Sequence, residues 1–299
     1  MRTETADRRE AAPHESVPMA LTPDQVRSYE QDGYVFPLPV FHEEETRALR
    51  RRFEALVARE GGKLSRPTNT RPHLLLKWID DLIREPRILD RVESVLGPNI
   101  LCWASGFFAK APGDGTFVSW HQDATYWGLS SNDVVTAWIA FSPSIPSTGC
   151  LRVVPGSHKQ QVPHRDTFSA ANLLSRGQEI AVEVDEARAV DIVLQPGEMS
   201  LHHVLLFHGS NRNEGDDWRI GFTARYIPTH LKQLAPMRDT AMLVRGVDTY
   251  GHFEPEQRPS ADFAPEAIAY HTAVQERLNA MTGVPSAPPS GQFRSPSGK

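Results

Sequence analysis

The spacing of apolar residues changes near residue 100 and divides the chain into a helical part and a strand-rich part. Before that point, apolar residues recur at helical spacing in segments 43–59 and 86–96, which we predict to be helices. Another helix is predicted to begin after Thr22, because Thr22 and Gln25 make a capping-box pattern and Gly33 can end the helix. The N-terminal region is therefore predicted to be helical.

After residue 100, short apolar or alternating runs are separated by clusters of Gly, Pro, Asn and Asp. The runs that we predict to be strands are 100–109, 116–123, 134–141, 150–154, 179–185, 191–194, 199–208 and 219–227. Many short strands with such turn residues between them are typical of a β-sandwich or barrel. One more helix is predicted beyond them, at 265–281.

Composition narrows the class of protein. The chain has 299 residues, of which 39% are hydrophobic, so it can form one large β-rich domain or two ordinary ones, with a core that needs no disulfides. A net charge of −5 without a basic block disfavours nucleic acid as the main partner, and no apolar run is long enough to span a membrane. The charged N-terminus is unlike a signal peptide, so we expect a cytoplasmic protein.

The two ends of the chain differ in composition from its middle. Residues 1–19 mix charges with prolines, and residues 284–299 are rich in Pro, Ser and Gly, so both are predicted to be flexible tails. A single domain is predicted between them, at 20–283. Cys102 and Cys150 lie far apart in strand-like stretches, where we expect reduced, buried thiols.

Two histidines and one carboxylate make the strongest chemical pattern. His121 and Asp123 are two positions apart on a predicted strand, where alternate side chains share a face, and His208 lies on a later strand. Two histidines and one carboxylate can occupy one face of a non-haem Fe(II) ion and leave the opposite face open for a co-substrate and O2. Either histidine alone would more often be structural; the ordered set favours a metal site.

Two polar residues after His208 fit the same chemistry. Arg219 follows eleven residues later, a spacing at which the next antiparallel strand would bring its guanidinium beside the metal, where it could bind a carboxylate bidentately. The alternative is a structural arginine paired with Asp216 or Asp217. Ser210 shares the strand face of His208 and could hydrogen-bond the same carboxylate.

The order and context of these residues resemble a known family. The segments that carry the resemblance are 120–123, 133–139, 149–158, 197–198, 205–210 and 218–219. Together they are similar to the phytanoyl-CoA hydroxylase family of Fe(II)/2-oxoglutarate dioxygenases, which includes ectoine hydroxylase and some carrier-protein halogenases. The resemblance extends over about residues 20–255.

The resemblance implies a fold and a reaction. The expected fold is a β-rich α+β domain, a double-stranded β-helix (a jelly roll, cupin-like) supported by N-terminal helices. The expected ligands of Fe(II) are His121, Asp123 and His208, and 2-oxoglutarate and O2 would be consumed with release of succinate and CO2. Halogenating relatives carry Gly or Ala at the position of Asp123, so the carboxylate here favours hydroxylation or a related oxidation.

The resemblance also suggests further contacts to the co-substrate. Trp138 is core packing by default, but its match to the family pattern places it near 2-oxoglutarate. Lys77 matches a lysine that contacts 2-oxoglutarate in the family, although an exposed surface position is nearly as good an explanation. His203 occupies a position that is often histidine in the family without being a ligand, so we expect it to support a metal ligand by hydrogen bonding. We interpret His202 as structural and His158 as a residue that fixes a loop.

The sequence says less about the substrate. Candidate lining residues are Phe107, Thr125, Tyr126, Trp127, Arg225 and the loop 229–252. Arg225 shares the strand face of Arg219 and is either a structural ion-pair partner or a substrate anchor. No basic cluster that would bind the phosphates of coenzyme A is present, which favours a free small molecule. We expect a monomer or homodimer.

A second class of protein also fits these motifs. Jelly rolls include proteins that bind a metal or ligand without turnover, and the fold alone does not exclude them. Loss of a metal ligand or of the arginine would favour that alternative, and neither is lost here.

Overall fold

In the computed structural model, residues 20–169, 171–174 and 176–282 are described, apart from the side chains of Tyr126 and Thr282. The two predicted tails, 1–19 and 284–299, lie outside the described residues, so their flexibility stays a prediction.

Six α-helices are described, and four of them match the predicted segments. They are α1 (Pro23–Asp32), α2 (Glu43–Arg59), α3 (Arg66–Asn69), α4 (Lys77–Leu82), α5 (Pro86–Leu96) and α6 (Pro265–Thr282). The capping box of α1 is present, with Thr22 Oγ1 accepting from Gln25 N at 3.2 Å and Gln25 Oε1 accepting from Thr22 N at 2.9 Å. Gly33 ends the helix at φ 85°. The short helices α3 and α4 were not predicted.

Most of the strands form two sheets, which face each other. The strands are β1 (Tyr34–Pro39), β2 (Ile100–Lys110), β3 (Val118–His121), β4 (Val135–Ala140), β5 (Leu151–Val153), β6 (His164–Asp166), β7 (Gln178–Ile180), β8 (Val190–Ile192), β9 (Glu198–His203), β10 (His208–Ser210), β11 (Arg219–Pro228), β12 (Thr240–Arg245) and β13 (Glu254–Pro255). The large sheet has the order β1-β9-β4-β11-β2-β12-β13, and the small sheet has the order β3-β10-β5-β8. Strands β6 and β7 pair separately. The β-rich, cupin-like architecture expected from the sequence is confirmed.

One predicted strand is two strands in the structure. The run 199–208 is divided between β9, in the large sheet, and β10, in the small sheet. The chain crosses from one sheet to the other at residues 204–207. Arg219 then begins β11, back in the large sheet, so it approaches the metal site from the opposite sheet rather than from the strand beside His208. The prediction that Arg219 reaches the metal site from the strand next to that of His208 was therefore wrong.

The alternation along β11 separates the core from the pocket. Ile220, Phe222, Ala224 and Tyr226 are buried in the main hydrophobic cluster, together with residues of α2, α4 and α5. Residues that alternate with them, Arg219, Thr223 and Arg225, line a pocket between the two sheets. Because side chains alternate along a strand, one sheet serves the core on one face and the site on the other.

The remaining general predictions agree with the structure where it tests them. Cys102 and Cys150 are free, buried thiols, as expected. Within the described residues, no helix is long and apolar enough to cross a membrane.

Candidate metal and co-substrate site

The predicted metal ligands lie together between the sheets. His121 ends β3 and His208 begins β10, and the two are paired across these antiparallel strands. Asp123 was predicted to lie on the same strand as His121, but it is the first residue of the 3-10 turn that follows this strand. One potential ligand atom from each of the three side chains lies within 4.8 Å of the other two, so the set can hold one metal ion.

Backbone carbonyls fix the orientation of both histidines. His121 Nδ1 lies 2.9 Å from the carbonyl oxygen of Ser119, and His208 Nδ1 lies 2.9 Å from that of Leu206. A carbonyl only accepts hydrogen bonds, so each Nδ1 carries the proton and each Nε2 keeps its lone pair. The histidines are thus held in the tautomer that binds a metal through Nε2.

The charges of the site also suit a cation. Burial would raise the pKa of Asp123, but the neighbouring His121 and the nearby charges, led by Arg225, lower that pKa well below its usual value. Burial lowers the pKa of His208 well below its usual value, and neighbouring His121 lowers it further. An ionised carboxylate beside a neutral imidazole is what a divalent metal requires.

Gln122 points away from the metal and holds the segment that carries the ligands. Its Nε2 donates to Leu205 O at 2.6 Å and Gln160 O at 2.8 Å, while its Oε1 accepts from Val162 N at 2.9 Å. The residue between the two ligands therefore fixes the turn beside β10.

Arg219 is buried and has no anionic partner among the described residues. Its guanidinium donates to Phe108 O at 3.3 Å, and its Nε and Nη2 have no hydrogen-bond partner among the described residues. Burial lowers the pKa of Arg219 to about 10. Asp217, one proposed structural partner, pairs instead with Arg50 through two hydrogen bonds of 2.7 Å. A buried guanidinium with two unused donors fits a carboxylate ligand.

A second cation beside Arg219 was missed in the sequence. Lys110, at the end of β2, is fully buried, and its Nζ donates to Ser210 Oγ at 2.7 Å and to the carbonyl oxygen of Asn211. Because Ser210 Oγ accepts from the ammonium, its own hydrogen is free to donate into the pocket. The available signal was a lysine on the pocket face at the end of an otherwise apolar strand.

Comparison with known proteins agrees with this geometry. The family model for phytanoyl-CoA dioxygenase (PhyH) matches residues 29–221, more than half of the chain. This chain belongs to the phytanoyl-CoA dioxygenase family. The predicted family is thereby confirmed.

Several relatives are named dioxygenases. A probable alpha-ketoglutarate-dependent hypophosphite dioxygenase of Stutzerimonas stutzeri is 33% identical over 51% of this chain and 55% of its own. The peroxisomal phytanoyl-CoA dioxygenase of Homo sapiens is 26% identical over 69% of this chain and 68% of its own. The chain spans about half the length of the first curated relatives that it matches, at 55% and 43%.

Solved structures of the same fold include a ligand-bound one. The non-haem monooxygenase ThoJ is 35% identical, with a TM-score of 0.75, over 87% of this chain and 99% of its own. CytC3 with Fe(II) and alpha-ketoglutarate is 29% identical, with a TM-score of 0.60, over 81% and 99%. In this chain, the two histidines and one carboxylate of the ligand set and the buried guanidinium of Arg219 are the residue types that binding of Fe(II) and a 2-oxo-dicarboxylate would require.

Trp138 lies in the pocket beside Arg219. The Arg219 guanidinium carbon is 5.4 Å from the Trp138 ring centre. The indole also lies against the backbone of Gly221, where a Cβ atom would be 2.0 Å from the ring. The structure thus brings Trp138 together with the ligands, Ser210 and Arg219.

Two predicted site residues are not brought to the pocket. Lys77 begins α4, where its ammonium is paired with Asp81 at the surface. Phe107 is in the hydrophobic core, packed against Phe53 at a ring-centre distance of 4.9 Å, and its neighbour Phe108 lines the pocket instead. The prediction for Phe107 was wrong by one residue, and on a strand one residue changes the face.

The residues predicted for the substrate are partly at the site. Arg225 lines the pocket, and its guanidinium carbon lies 5.1 Å from the ring centre of Trp127. The side chain of Tyr126 is not described. His202 also lines the pocket, with its ring centre 5.0 Å from that of His208, whereas His203 lies outside, accepting from Leu205 N at 3.1 Å. His202, which we interpreted as structural, thus lines the pocket, and His203, which we expected beside a metal ligand, does not line it.

Proposed function

We propose that this protein is a non-haem Fe(II)/2-oxoglutarate-dependent dioxygenase that hydroxylates, or otherwise oxidises, an unactivated C–H bond of a small molecule. The observation that carries this proposal is the combination of one complete ligand set with one buried, unpaired arginine in the same pocket. A metal-binding protein without turnover does not need that arginine.

His121, Asp123 and His208 would hold the iron. When bound, iron and 2-oxoglutarate together activate O2 and supply the oxidising power for C–H cleavage, with succinate and CO2 as co-products. The two histidines offer neutral Nε2 atoms, and Asp123 supplies the negative charge. Three protein ligands leave the other coordination positions open for the co-substrate and O2.

The closed end of the pocket would bind the distal carboxylate of 2-oxoglutarate. Arg219 provides two unused N–H groups, Ser210 a free hydroxyl hydrogen, and Lys110 a second positive charge. Trp138 forms a flat wall beside Arg219, which restricts the orientation of the guanidinium and excludes water. These side chains orient the co-substrate and take no part in proton transfer.

The outcome of the reaction follows from Asp123. Its carboxylate would fill a metal position that a halide could otherwise take, so we favour hydroxylation, desaturation, ring closure or epoxidation over halogenation. Phe108, Trp127 and Arg225 are proposed to contact the substrate. We further propose that the enzyme acts in the cytoplasm as a monomer or homodimer, which size-exclusion chromatography with light scattering would test.

Succinate formation tests the proposed activity. Purified protein with Fe(II), 2-oxoglutarate and air should form succinate, slowly without substrate and faster with it. Anaerobic protein with both cofactors should show a weak visible absorption band. His121→Ala and Asp123→Ala should abolish both signals while the far-ultraviolet circular dichroism stays unchanged, because two remaining ligands hold iron poorly.

The same measurements separate the alternative class of protein. A binding protein without turnover would take up zinc tightly, show no dependence on 2-oxoglutarate and form no succinate with any metal. That result would exclude the proposed activity.

A further inference from the structure

Three polar side chains lie side by side across neighbouring strands of the large sheet. Arg225 on β11 is in register with Thr136 on β4, and Thr136 is in register with His202 on β9. All three line the pocket, and each has a buried polar atom without a hydrogen-bond partner in the described part of the chain: Arg225 Nε, Thr136 Oγ1 and His202 Nδ1. We call these three residues the Arg225 row.

Arg225 makes no hydrogen bond within the part of the chain that the structure describes. The nearest carboxylate oxygen, Asp123 Oδ2, is 3.9 Å from Arg225 Nε, which is beyond hydrogen-bond distance. The cation lies against aromatic rings, 5.1 Å from the ring centre of Trp127 and 6.0 Å from that of Phe108. These rings hold the guanidinium in place but provide no acceptor, so its N–H groups stay available.

The distal carboxylate of 2-oxoglutarate cannot satisfy both arginines. Arg219 and Arg225 are six residues apart on one strand, which separates their Cα atoms by about 20 Å at ~3.3 Å per residue. An extended five-carbon dicarboxylate spans less than half of that length. If Arg219 binds the distal carboxylate, as proposed above, the Arg225 row needs an acceptor other than that carboxylate.

Holding Asp123 in place would account for only part of the row. Such a role would use Arg225 alone and leave the hydroxyl of Thr136 buried and unpaired. Buried polar groups are normally hydrogen-bonded, and three neighbouring strands here present groups to one space that have no partner among the described residues. A ligand with several acceptor atoms would satisfy them together.

We propose that the Arg225 row is a second anion site, which binds a carboxylate or another oxoanion group of the primary substrate. The proposal rests on the function proposed above and specifies its substrate class. Because Arg225 lies within 3.9 Å of the metal ligand Asp123, the carbon that is oxidised lies within a few bonds of the acid group.

Binding of small acids to the loaded but inactive protein tests the proposal. Protein with Zn(II) in place of iron and with bound 2-oxoglutarate would be titrated with acetate, methylphosphonate and benzoate by saturation-transfer NMR. Acetamide and benzamide serve as neutral counterparts. At least one anion should bind, and its neutral counterpart should bind at least about tenfold more weakly, because a charge-assisted pair contributes roughly one decade or more.

Variants assign the binding to the row. Arg225→Gln should weaken anion binding by about tenfold or more, and Thr136→Val by about threefold, since only one hydrogen bond is lost. Both variants should keep the affinities for Zn(II) and 2-oxoglutarate. Arg27→Gln removes an exposed arginine with the same change in net charge and should leave anion binding unchanged. If Arg225→Gln does not fold, Arg225→Lys and Thr136→Val give the same comparison.

Three results would overturn the proposal. One is that none of the three acids binds to protein that does bind 2-oxoglutarate. Another is that Arg225→Gln weakens Zn(II) binding with no effect on the acids, which would make Arg225 a positioning residue for Asp123. The last is that it weakens 2-oxoglutarate binding as much as Arg219→Gln, which would place it in the co-substrate site. If the wild-type protein binds no 2-oxoglutarate, the proposed function itself fails.

Discussion

At the end of the pocket that contains Arg219, two basic side chains are buried, and burial makes them suited to bind an anion. Lys110 and Arg219 are buried side by side, and within the described residues neither forms an ion pair with a carboxylate. Burying cations without a counter-charge costs free energy, and a bound dianion offsets that cost. The same pairing at the surface, as between Arg27 and Asp24, contributes little.

The geometry of the Arg219 guanidinium leads to a kinetic prediction. Arg219→Lys keeps the positive charge but loses the two parallel N–H donors of the guanidinium, so KM for 2-oxoglutarate should rise about tenfold or more. Iron affinity without co-substrate should stay the same, because Arg219 is not a ligand. The measurement is succinate formation against co-substrate concentration, with the melting temperature of the variant as control. A lower melting temperature with an unchanged KM would remove Arg219 from the site.

Lys110 leads to a prediction about protons. Burial, and then the charge of Arg219, lower the pKa of Lys110 to about 6, so the side chain is mostly neutral in the free protein above that pH. Bound 2-oxoglutarate favours the charged form and raises this pKa. Binding of 2-oxoglutarate should therefore be accompanied by the uptake of on the order of one proton. The affinity for 2-oxoglutarate should fall as the pH rises from about 6 towards the pKa that Lys110 has in the complex.

Calorimetry can count that proton. The metal-loaded protein would be titrated with 2-oxoglutarate at about pH 7.5 in two buffers of different ionisation enthalpy. The wild-type protein should show buffer-dependent heats, and Lys110→Met should not. Equal heats in both buffers for the wild type would show that Lys110 does not change its protonation on binding.

At the level of elements, the sequence predicted most of the helices and fewer of the strands. Capping residues and helical periodicity are local signals, so the bounds of α2 and α5 were predicted correctly. The division of 199–208 into β9 and β10 was not, because its apolar run is continuous and the choice of sheet depends on distant strands. Strands β1 and β12 were missed for the same reason.

The sequence predicted those residues of the site that belong to the motif. It was less successful for residues that reach the site only through strand pairing and packing. His121, Asp123, His208 and Arg219 lie together as expected. Phe107 and Phe108 are both phenylalanine, so the sequence gives no alternation to tell which one faces the pocket. Lys110 and Thr136 become site residues only through strand pairing with distant parts of the chain.

Gly221 on β11 is sensitive to substitution because the Trp138 side chain of the neighbouring strand β4 lies against its backbone. Gly221→Ala would place a Cβ atom 2.0 Å from the rigid Trp138 indole. We expect a loss of about 1–3 kcal/mol in the free energy of unfolding and weaker 2-oxoglutarate binding, because the displaced indole no longer supports Arg219. Chemical denaturation and calorimetry would measure the two effects.

A double mutant shows whether the clash is the cause. Combining Gly221→Ala with Trp138→Leu should cost less than the sum of the single changes, since the smaller side chain leaves room for the methyl group. Additive effects would place the cost elsewhere.

At the scale of the whole molecule, a buried ionic network joins the N-terminal and C-terminal parts of the chain. Arg71 pairs with Asp239 at 2.8 Å and with Glu256 at 3.1 Å, and Glu256 also contacts His73 at 2.9 Å. Their side chains are at most 3% exposed. The network connects residues before β2 to residues that flank β12 and β13. It lies beside Trp103, which donates to Asp239 at 2.7 Å.

Removing the arginine should destabilise the whole domain. Arg71→Met leaves two buried carboxylates without their counter-charge, so the free energy of unfolding should fall by about 3–5 kcal/mol. Arg27→Met, which breaks an exposed pair, should change it by less than about 1 kcal/mol. Urea denaturation of both variants would test this. Similar losses for the two variants would contradict the structural role of the network.

The two sheets contribute different parts of the pocket. The metal ligands come from the small sheet and the turn after β3, whereas Arg219 and the Arg225 row come from the large sheet. Substitutions at residues 136 and 225 can therefore change which molecule is accepted without altering a ligand. A duplicated copy of such an enzyme could acquire a new substrate gradually while its oxidising centre stays intact. Directed evolution has the same freedom, and a library restricted to these two residues should retain basal succinate formation in most of its members.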